Sequence, residues 1–398
     1  MSFLSHRIQQ IKPSATLAIT QKANQLRLSG IDIISLSAGE PDFNTPGFIK
    51  KAAVEALARG ASKYTNIDGI PELKKAVQKK FKNENNLDYE LSEVLVTPGV
   101  KFGIYAAMMA TINPGDEVII PTPYWPSYKD IVVVAGGVPV EVFCPSFKLT
   151  PDLLDKALTD KTKWLMLNSP SNPCGAIYSA DEYQQLANIL SKHPKVHVMS
   201  DEIYEHLNYG ESQFVSFAEA APQLKSRTLT LNGISKAYAM TGWRIGYAAG
   251  PEALIKAMSK LQSQSTSNPT TVSQYAALEA LTGPQDCLVS FREAYGARRG
   301  LMMEMLNGID GVLCPEPEGA FYMFPDVSKL IGLRTPQSKV LTSDFDICEY
   351  FIEEARVATV PGSSFGQPGH LRLSFATSEE NIKKALERIK QAVEKLVN

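Results

Sequence analysis

The chain lacks any apolar run of about 18 residues, the length a membrane-spanning helix needs. The opening "MSFLSHRIQQIKPSAT" lacks the apolar core of a secretory signal, so a mature cytoplasmic protein is expected. Its five cysteines (Cys144, Cys174, Cys287, Cys314, Cys348) form no CxxC pair, and their odd number argues against a closed disulfide framework. The five histidines show no metal-ligand spacing, so no catalytic metal is expected. Blocks of like charge are missing too, and the formal net charge is only −2, which gives neither nucleic acid nor an anionic membrane an electrostatic footprint. Repeats and low-complexity tracts are absent. What remains is a globular chain whose expected partners are small molecules.

What is present is alternation. Of the 398 residues, 44% are hydrophobic, enough for one large core and a second, smaller one. Short apolar runs ending in turn residues recur: "DEVIIPTPYW" from Asp116, "KWLMLNSPSNP" from Lys163, "VHVMSDEIY" from Val196 and "RTLTLNG" from Arg227. Helix-like segments separate most of them. "SADEYQQLANILSK" from Ser179 opens with a cap residue and places Tyr183, Leu186, Ile189 and Leu190 at helical spacing. Strand alternating with helix implies crossover connections and a largely parallel sheet covered on both faces. The expected fold class is therefore α/β, with a large domain over residues 45–285. A long helix, "CLVSFREAYGARRGLMMEMLNGI", leads into a smaller α+β domain over 286–398, with strands in "GAFYMFPDV", "ARVATVPGSSFG" and "HLRLSFATS" and a closing amphipathic helix. Residues 1–44 are expected to form an N-terminal arm and part of the small domain.

In an open parallel sheet, ligands bind beyond the carboxyl ends of the strands. The residues expected there are Tyr124 and Trp125, Asn168 and Asn172, Asp201 and Tyr204, and Ser235 and Lys236. Each has an ordinary reading alone: Asp201 as a helix cap, Asn172 as a turn residue, Trp125 as core, Lys236 as a solvated loop charge. Together, a lysine, a carboxylate, a phenol and an aromatic face at one sheet edge are what a pyridoxal phosphate site requires. Two anion cradles are available. In "TPGVKFGIYAAMMATI" the backbone N–H groups of Gly99, Val100 and Lys101 open a helix, and Ser235 with Arg244 adds a hydroxyl and a planar two-donor cation.

The motifs "SLSAGEPDFNTP", "KYTNIDGIPELKKAV", "PYWPSY", "NSPSNPCGAIY", "SDEIYEHL", "SKAYAMTGWRIGY", "GAFYMF", "VATVPGSSFG" and "LRLSFATSEE" stand in order along almost the whole chain. In this set the sequence resembles the class I aminotransferases of pyridoxal-phosphate fold type I, most of all the bacterial aspartate and aspartate/prephenate subgroup. The resemblance implies a mostly parallel seven-stranded sheet between helices, a small α+β domain, pyridoxal 5'-phosphate as cofactor, and a homodimer with shared active sites. It implies that Lys236 binds the cofactor covalently and carries the substrate α-proton, that Asp201 pairs with the pyridine nitrogen, and that Tyr204 and Asn172 bond the phenolic oxygen. Trp125 would stack on the ring, and Tyr64 would reach the cofactor phosphate of the other subunit. Arg372 would clamp the substrate α-carboxylate, Gly39 would offer backbone to it, and Phe321 would line the cleft beside Trp125 and Asn172.

The implied reaction is L-aspartate plus 2-oxoglutarate giving oxaloacetate plus L-glutamate by a ping-pong route. Lys101 would face the distal carboxylate of a dicarboxylic substrate, and Lys12 would favour prephenate as a second acceptor. An aromatic or broad-specificity aminotransferase, or a carbon–sulfur lyase of the same fold type, stays open as the alternative. Two departures stand out. In "SNPCG", Cys174 stands where the family more often has threonine, and Val100 replaces a small or hydroxyl residue frequent in the phosphate turn. Backbone N–H groups need no side chain, and a buried, inert Cys174 is the expectation.

Overall fold

The computed structural model describes residues 3–11, 15–210 and 213–397. Its strands, in chain order, are β1 (Ile34–Ser35), β2 (Val94–Thr97), β3 (Glu117–Pro121), β4 (Val138–Val142), β5 (Thr162–Asn168), β6 (His197–Asp201), β7 (Thr228–Gly233), β8 (Gly246–Ala249), β9 (Tyr322–Met323), β10 (Val357–Ala358), β11 (Val360–Pro361) and β12 (Leu371–Ser374). Seven of them form the main sheet in the order β2-β8-β7-β6-β5-β3-β4. All neighbours pair in parallel except β8, which runs antiparallel to both β2 and β7. The inner strands are buried on both faces, β7 and β8 along their whole length. This explains their unbroken apolar runs.

The two faces carry separate cores. On one, the helices Val100–Thr111 and Glu252–Ser263 press Ile104, Met108, Ile255 and Met258 onto Leu229 and Leu231. On the other, Ala180–Leu190 packs Tyr183, Leu186 and Leu190 against Leu165 and Leu167. The Ser179 hydroxyl accepts from the Glu182 amide while the Glu182 carboxylate accepts from the Ser179 amide, so the start of this helix is fixed by its own sequence. Leu186 has no exposure, and shortening it to Ala would cost about 2–5 kcal/mol through the cavity left behind.

A second assembly contains the antiparallel sheet β11-β12-β9 and the parallel pair β1-β10. The helices Asp286–Asn307 and Glu379–Glu394 cover it with Met302, Leu306, Leu386 and Ile389. Because β1 pairs with β10, chain from before residue 44 supplies a strand to this assembly. Its core also takes in Ile203, Tyr204 and Leu207, which follow β6 of the main sheet. The loop after the central strand is thus locked between the two assemblies, where a precisely held site needs it.

Candidate active site

From β3 the chain steps outward to β4 and then crosses back to β5, so a crevice opens beyond the carboxyl ends of β3 and β5. A cavity of about 510 Å³ lies there, in the size range of small-molecule sites. Asp201 is the last residue of β6 and pairs in register with Asn168, the last of β5. Trp125 stands in the turn after β3, and Lys236 in the turn after β7. Arg372 reaches the same space from β12 of the smaller assembly.

Asp201 is 4% exposed. One of its oxygens accepts from the Tyr128 hydroxyl at 2.7 Å and the other from the Ile203 amide at 3.3 Å. Burial pushes its pKa up to about 6, against the pull of those two hydrogen bonds, so it is ionised at neutral pH. Lys236 is half-buried and donates to the Gly39 carbonyl oxygen. Desolvation, aided by the positive charge of Arg372, lowers its pKa to about 8. A useful fraction of its amine is therefore unprotonated near neutrality, the condition for a lysine nucleophile or base.

Arg372 is buried in the floor of the cavity. It donates to Asn172 Oδ1 at 3.0 Å and to the Ser37 carbonyl at 2.9 Å, and its Nε has no partner. Asn172 is itself held by its amide, which donates to Asn168 Oδ1 at 2.8 Å. The Tyr204 and Tyr322 hydroxyls lie 2.9 Å apart. Lys101 Nζ sits 4.7 Å from the centre of the Trp125 ring, and Trp125 meets Tyr128 edge-on. The helix Val100–Thr111, which carries Lys101, begins at the cavity with the Val100 and Lys101 amides, first-turn donors without acceptors inside the helix. Gly99 precedes it at φ +90°, and a Cβ there would stand 2.6 Å from Arg244 Nη2. Only glycine permits both the backbone angle and the approach of the guanidinium.

These donors fit pyridoxal phosphate. A buried acid, a flat aromatic face and an amine surround the middle of the cavity, and amides, Ser235 and Arg244 gather at the end suited to a phosphate. The Nε of Arg372 is unpaired and, among the described residues, no carboxylate pairs with its guanidinium, which leaves Arg372 ready for an anion.

The cavity brings together Gly39, Val100, Lys101, Trp125, Asn172, Asp201, Tyr204, Ser235, Lys236, Arg244 and Arg372. Four expectations need correction or comment. The Gly99 amide does not face an anion, because it donates to the Thr97 carbonyl at 2.7 Å. Phe321 does not line the cleft: it is fully buried behind it, its ring 5.6 Å from Lys236 Nζ, and the adjacent Tyr322 lines the cavity instead. Tyr64 lies outside the cavity of its own chain and is 90% exposed. Lys12 falls outside the described residues. Tyr128 and Tyr322 were not foreseen. Tyr128 follows Trp125 by three positions, one turn along, and Tyr322 shares a short strand with Phe321, where side chains alternate between faces.

The family model described as aminotransferase class I and II matches residues 31–389. An aspartate/prephenate aminotransferase of Cereibacter sphaeroides is 52% identical over 392 residues, 98% of each chain. The crystal structure of the aspartate aminotransferase from Rhizobium meliloti superposes with a TM-score of 0.97 at 50% identity, covering 100% of both chains. An aromatic aminotransferase from Pyrococcus horikoshii is more distant, at 38% identity and a TM-score of 0.86, with 93% of this chain and 98% of that one covered. The chain belongs to the aminotransferase class I and II family, and its architecture is that of fold type I. It is a transaminase. Among the described residues no helix is long and apolar enough to cross a membrane.

Proposed function

We propose that this chain transfers the amino group of L-aspartate to 2-oxoglutarate, giving oxaloacetate and L-glutamate, with pyridoxal 5'-phosphate held in the cavity. The observation that carries this reading is Arg372, a buried guanidinium with a fork of donors and no carboxylate partner among the described residues, sharing one cavity with Lys236 and Lys101. A planar fork suits an α-carboxylate. Lys101, at the Trp125 side, adds a second cation for a distal carboxylate, which favours a dicarboxylic substrate over an aromatic one.

When bound, the cofactor supplies an aldehyde that takes up the amino group and a protonated ring that spreads the charge left on the α-carbon. Asp201 keeps the ring nitrogen protonated, with Tyr128 holding its carboxylate in place. Tyr204 and Asn172 would donate toward the phenolic oxygen, Trp125 would stack on the ring, and Ser235, Arg244 and the Val100 and Lys101 amides would hold the phosphate. Lys236 Nζ takes the α-proton and returns it, for which a pKa of about 8 is well placed. Arg372 fixes the α-carbon above that amine, and the apolar walls exclude water from the exchange.

Prephenate is a second acceptor in this proposal, supported by the aspartate/prephenate name of the Cereibacter relative and by Lys12. Two chains would pair so that the exposed Tyr64 of one completes the phosphate site of the other. A cytoplasmic setting accords with five free cysteines.

The test mixes the purified protein with pyridoxal phosphate and L-aspartate, without acceptor. Stoichiometric oxaloacetate, with loss of the cofactor's visible absorbance, is the expected half-reaction. Cofactor absorbance that aspartate leaves untouched would overturn the substrate, and pyruvate with ammonia would mark a lyase instead. For Lys12, the Lys12→Ala variant should lose prephenate turnover relative to oxaloacetate turnover; an unchanged ratio would remove Lys12 as the determinant.

A further inference from the structure

We propose that Tyr322 is a positioning residue with two tasks, its hydroxyl orienting the phenol of Tyr204 and its ring holding the guanidinium of Arg372. The proposal rests on the reading of the cavity as a pyridoxal phosphate transaminase site. Tyr322 has no measurable exposure to bulk solvent, yet it lines the cavity. Its position follows from the sheet. On β9 it pairs in register with Ser374 of β12, and Arg372 lies two residues earlier on that strand, on the same face and diagonally across. The Arg372 Cζ is 4.5 Å from the centre of the Tyr322 ring, within the range of a cation–π contact. At its far end the Tyr322 hydroxyl is 2.9 Å from that of Tyr204. A Cβ on Gly39 would come 3.4 Å from the same hydroxyl, so the residue also abuts the loop that accepts from Lys236 and Arg372.

Either hydroxyl of the pair can donate, and electrostatics chooses between them. Burial raises the pKa of both phenols, while the positive charge of Arg372 opposes the rise and acts most directly on Tyr322, over whose ring it sits. The more acidic phenol is the better donor. Tyr322 therefore donates to the Tyr204 oxygen, and the Tyr204 hydrogen is left to point into the cavity. A hydroxyl that accepts one hydrogen bond donates the next more strongly. The geometry makes Tyr322 the hinge between the residue that faces the cofactor and the residue that faces the substrate.

Two substitutions separate the tasks. Tyr322→Phe keeps the ring and loses the hydroxyl, and Tyr322→Met fills similar space with neither. Each protein, loaded with pyridoxal phosphate and without substrate, is titrated with base while the visible absorbance of the cofactor is followed. Maleate, a dicarboxylate with no amino or keto group to react, is then titrated to obtain its Kd. In Y322F the pH midpoint should rise by roughly half a unit to one unit, because a weaker Tyr204 donor stabilises the deprotonated cofactor oxygen less. Maleate affinity should stay within about twofold, because the cation–π contact survives. In Y322M the midpoint should rise similarly, and the Kd for maleate should increase about tenfold. An unshifted midpoint in Y322F would remove the first task, and equal maleate affinity in Y322M and wild type would remove the second. If the wild-type protein gained no visible absorbance with pyridoxal phosphate, the cofactor reading itself would fall. A normal wild-type spectrum with both variants matching it would overturn the assignment to Tyr322 alone.

Discussion

Lys80 and Arg372 are both buried cations, 4% and 2% exposed, and the protein treats them in opposite ways. Lys80, on the helix Pro71–Asn85, contacts the Glu205 carboxylate and donates to Asn85 Oδ1 at 2.7 Å, with Glu84 at 3.6 Å. Asn85 in turn donates to Glu205 Oε2 at 3.0 Å, and His206 closes the group at 3.5 Å. Glu84, Glu205 and His206 stand close enough to hold a metal ion, but the Lys80 ammonium already supplies the positive charge. Arg372 meets only neutral partners: a side-chain amide, a carbonyl and two aromatic rings. Among the described residues no carboxylate comes within ion-pair distance of it. Burying a charge is costly unless it is paired. A cation paired within the chain serves the fold, and one held open at a cavity serves a ligand.

The comparison breaks if the two cations respond alike to mutation. Arg372→Leu should lower kcat/KM for aspartate by roughly a thousandfold, about 4 kcal/mol of transition-state stabilisation. The melting temperature of the cofactor-free protein should hold or rise, since the substitution removes an unpaired buried charge. Steady-state kinetics beside thermal melts would decide, and a large loss of stability would make Arg372 a structural cation. Glu205→Gln should do the reverse. It removes the buried partner of Lys80, leaves only the part-exposed Glu84 carboxylate at 3.6 Å, and should cost about 2–4 kcal/mol of stability, read by urea unfolding, while kcat of the folded enzyme stays unchanged.

The difference between these cations was only partly legible in the sequence. Strand runs, the Ser179 cap and the strand-end polar residues could be read because they are local: apolar period, turn chemistry and position along one strand. Arg372 rests on a motif alone, because no periodicity distinguishes a strand arginine at a cavity from one at the surface. The partners that give each residue its character are far apart in sequence. Tyr322 meets Tyr204 across 118 residues, and Asn172 meets Arg372 across 200. Strand alternation puts Phe321 and Tyr322 on opposite faces, but which of the two faces is the cavity depends on the pairing of β9 with β12. The Gly99 amide departs from the general picture of a helix N-terminus because the Thr97 carbonyl, in a local turn, is its acceptor.

Asp201 sharpens the comparison from the anionic side, with a smaller expected effect. Its folded pKa, about 6, lies above the ordinary value of 3.8. Between those values the folded state binds more protons than the unfolded state, so stability falls as pH rises through the window and the loss is complete above it. The full penalty is about 3 kcal/mol, part of which the loss of acceptor strength toward Tyr128 and Ile203 would offset on mutation. Asp201→Asn should therefore stabilise the cofactor-free protein by about 1–2 kcal/mol at neutral pH and by less near pH 4.5. The same variant should bind pyridoxal phosphate more weakly and lose most of its turnover. Equal stabilisation at both pH values would show that the carboxylate charge is not the cause.

Cys174 supplies the uncharged limit. It is 7% exposed and lies two residues beyond Asn172, so it neighbours the Arg372 site without carrying charge. Its thiol donates to the Ser171 hydroxyl at 3.4 Å, and burial raises its pKa, which keeps it from forming the reactive thiolate. Threonine offers a hydroxyl in place of the thiol and a methyl of similar bulk. Cys174→Thr should consequently change stability by less than about 1 kcal/mol and leave KM for aspartate unaltered. A thiol reagent added to the folded protein should leave Cys174 unmodified until denaturant is present, as peptide mass mapping would show. Rapid labelling with loss of activity would mean that the region around Asn172 opens. The cavity would then be held less firmly than the buried pair of Lys80 and Glu205.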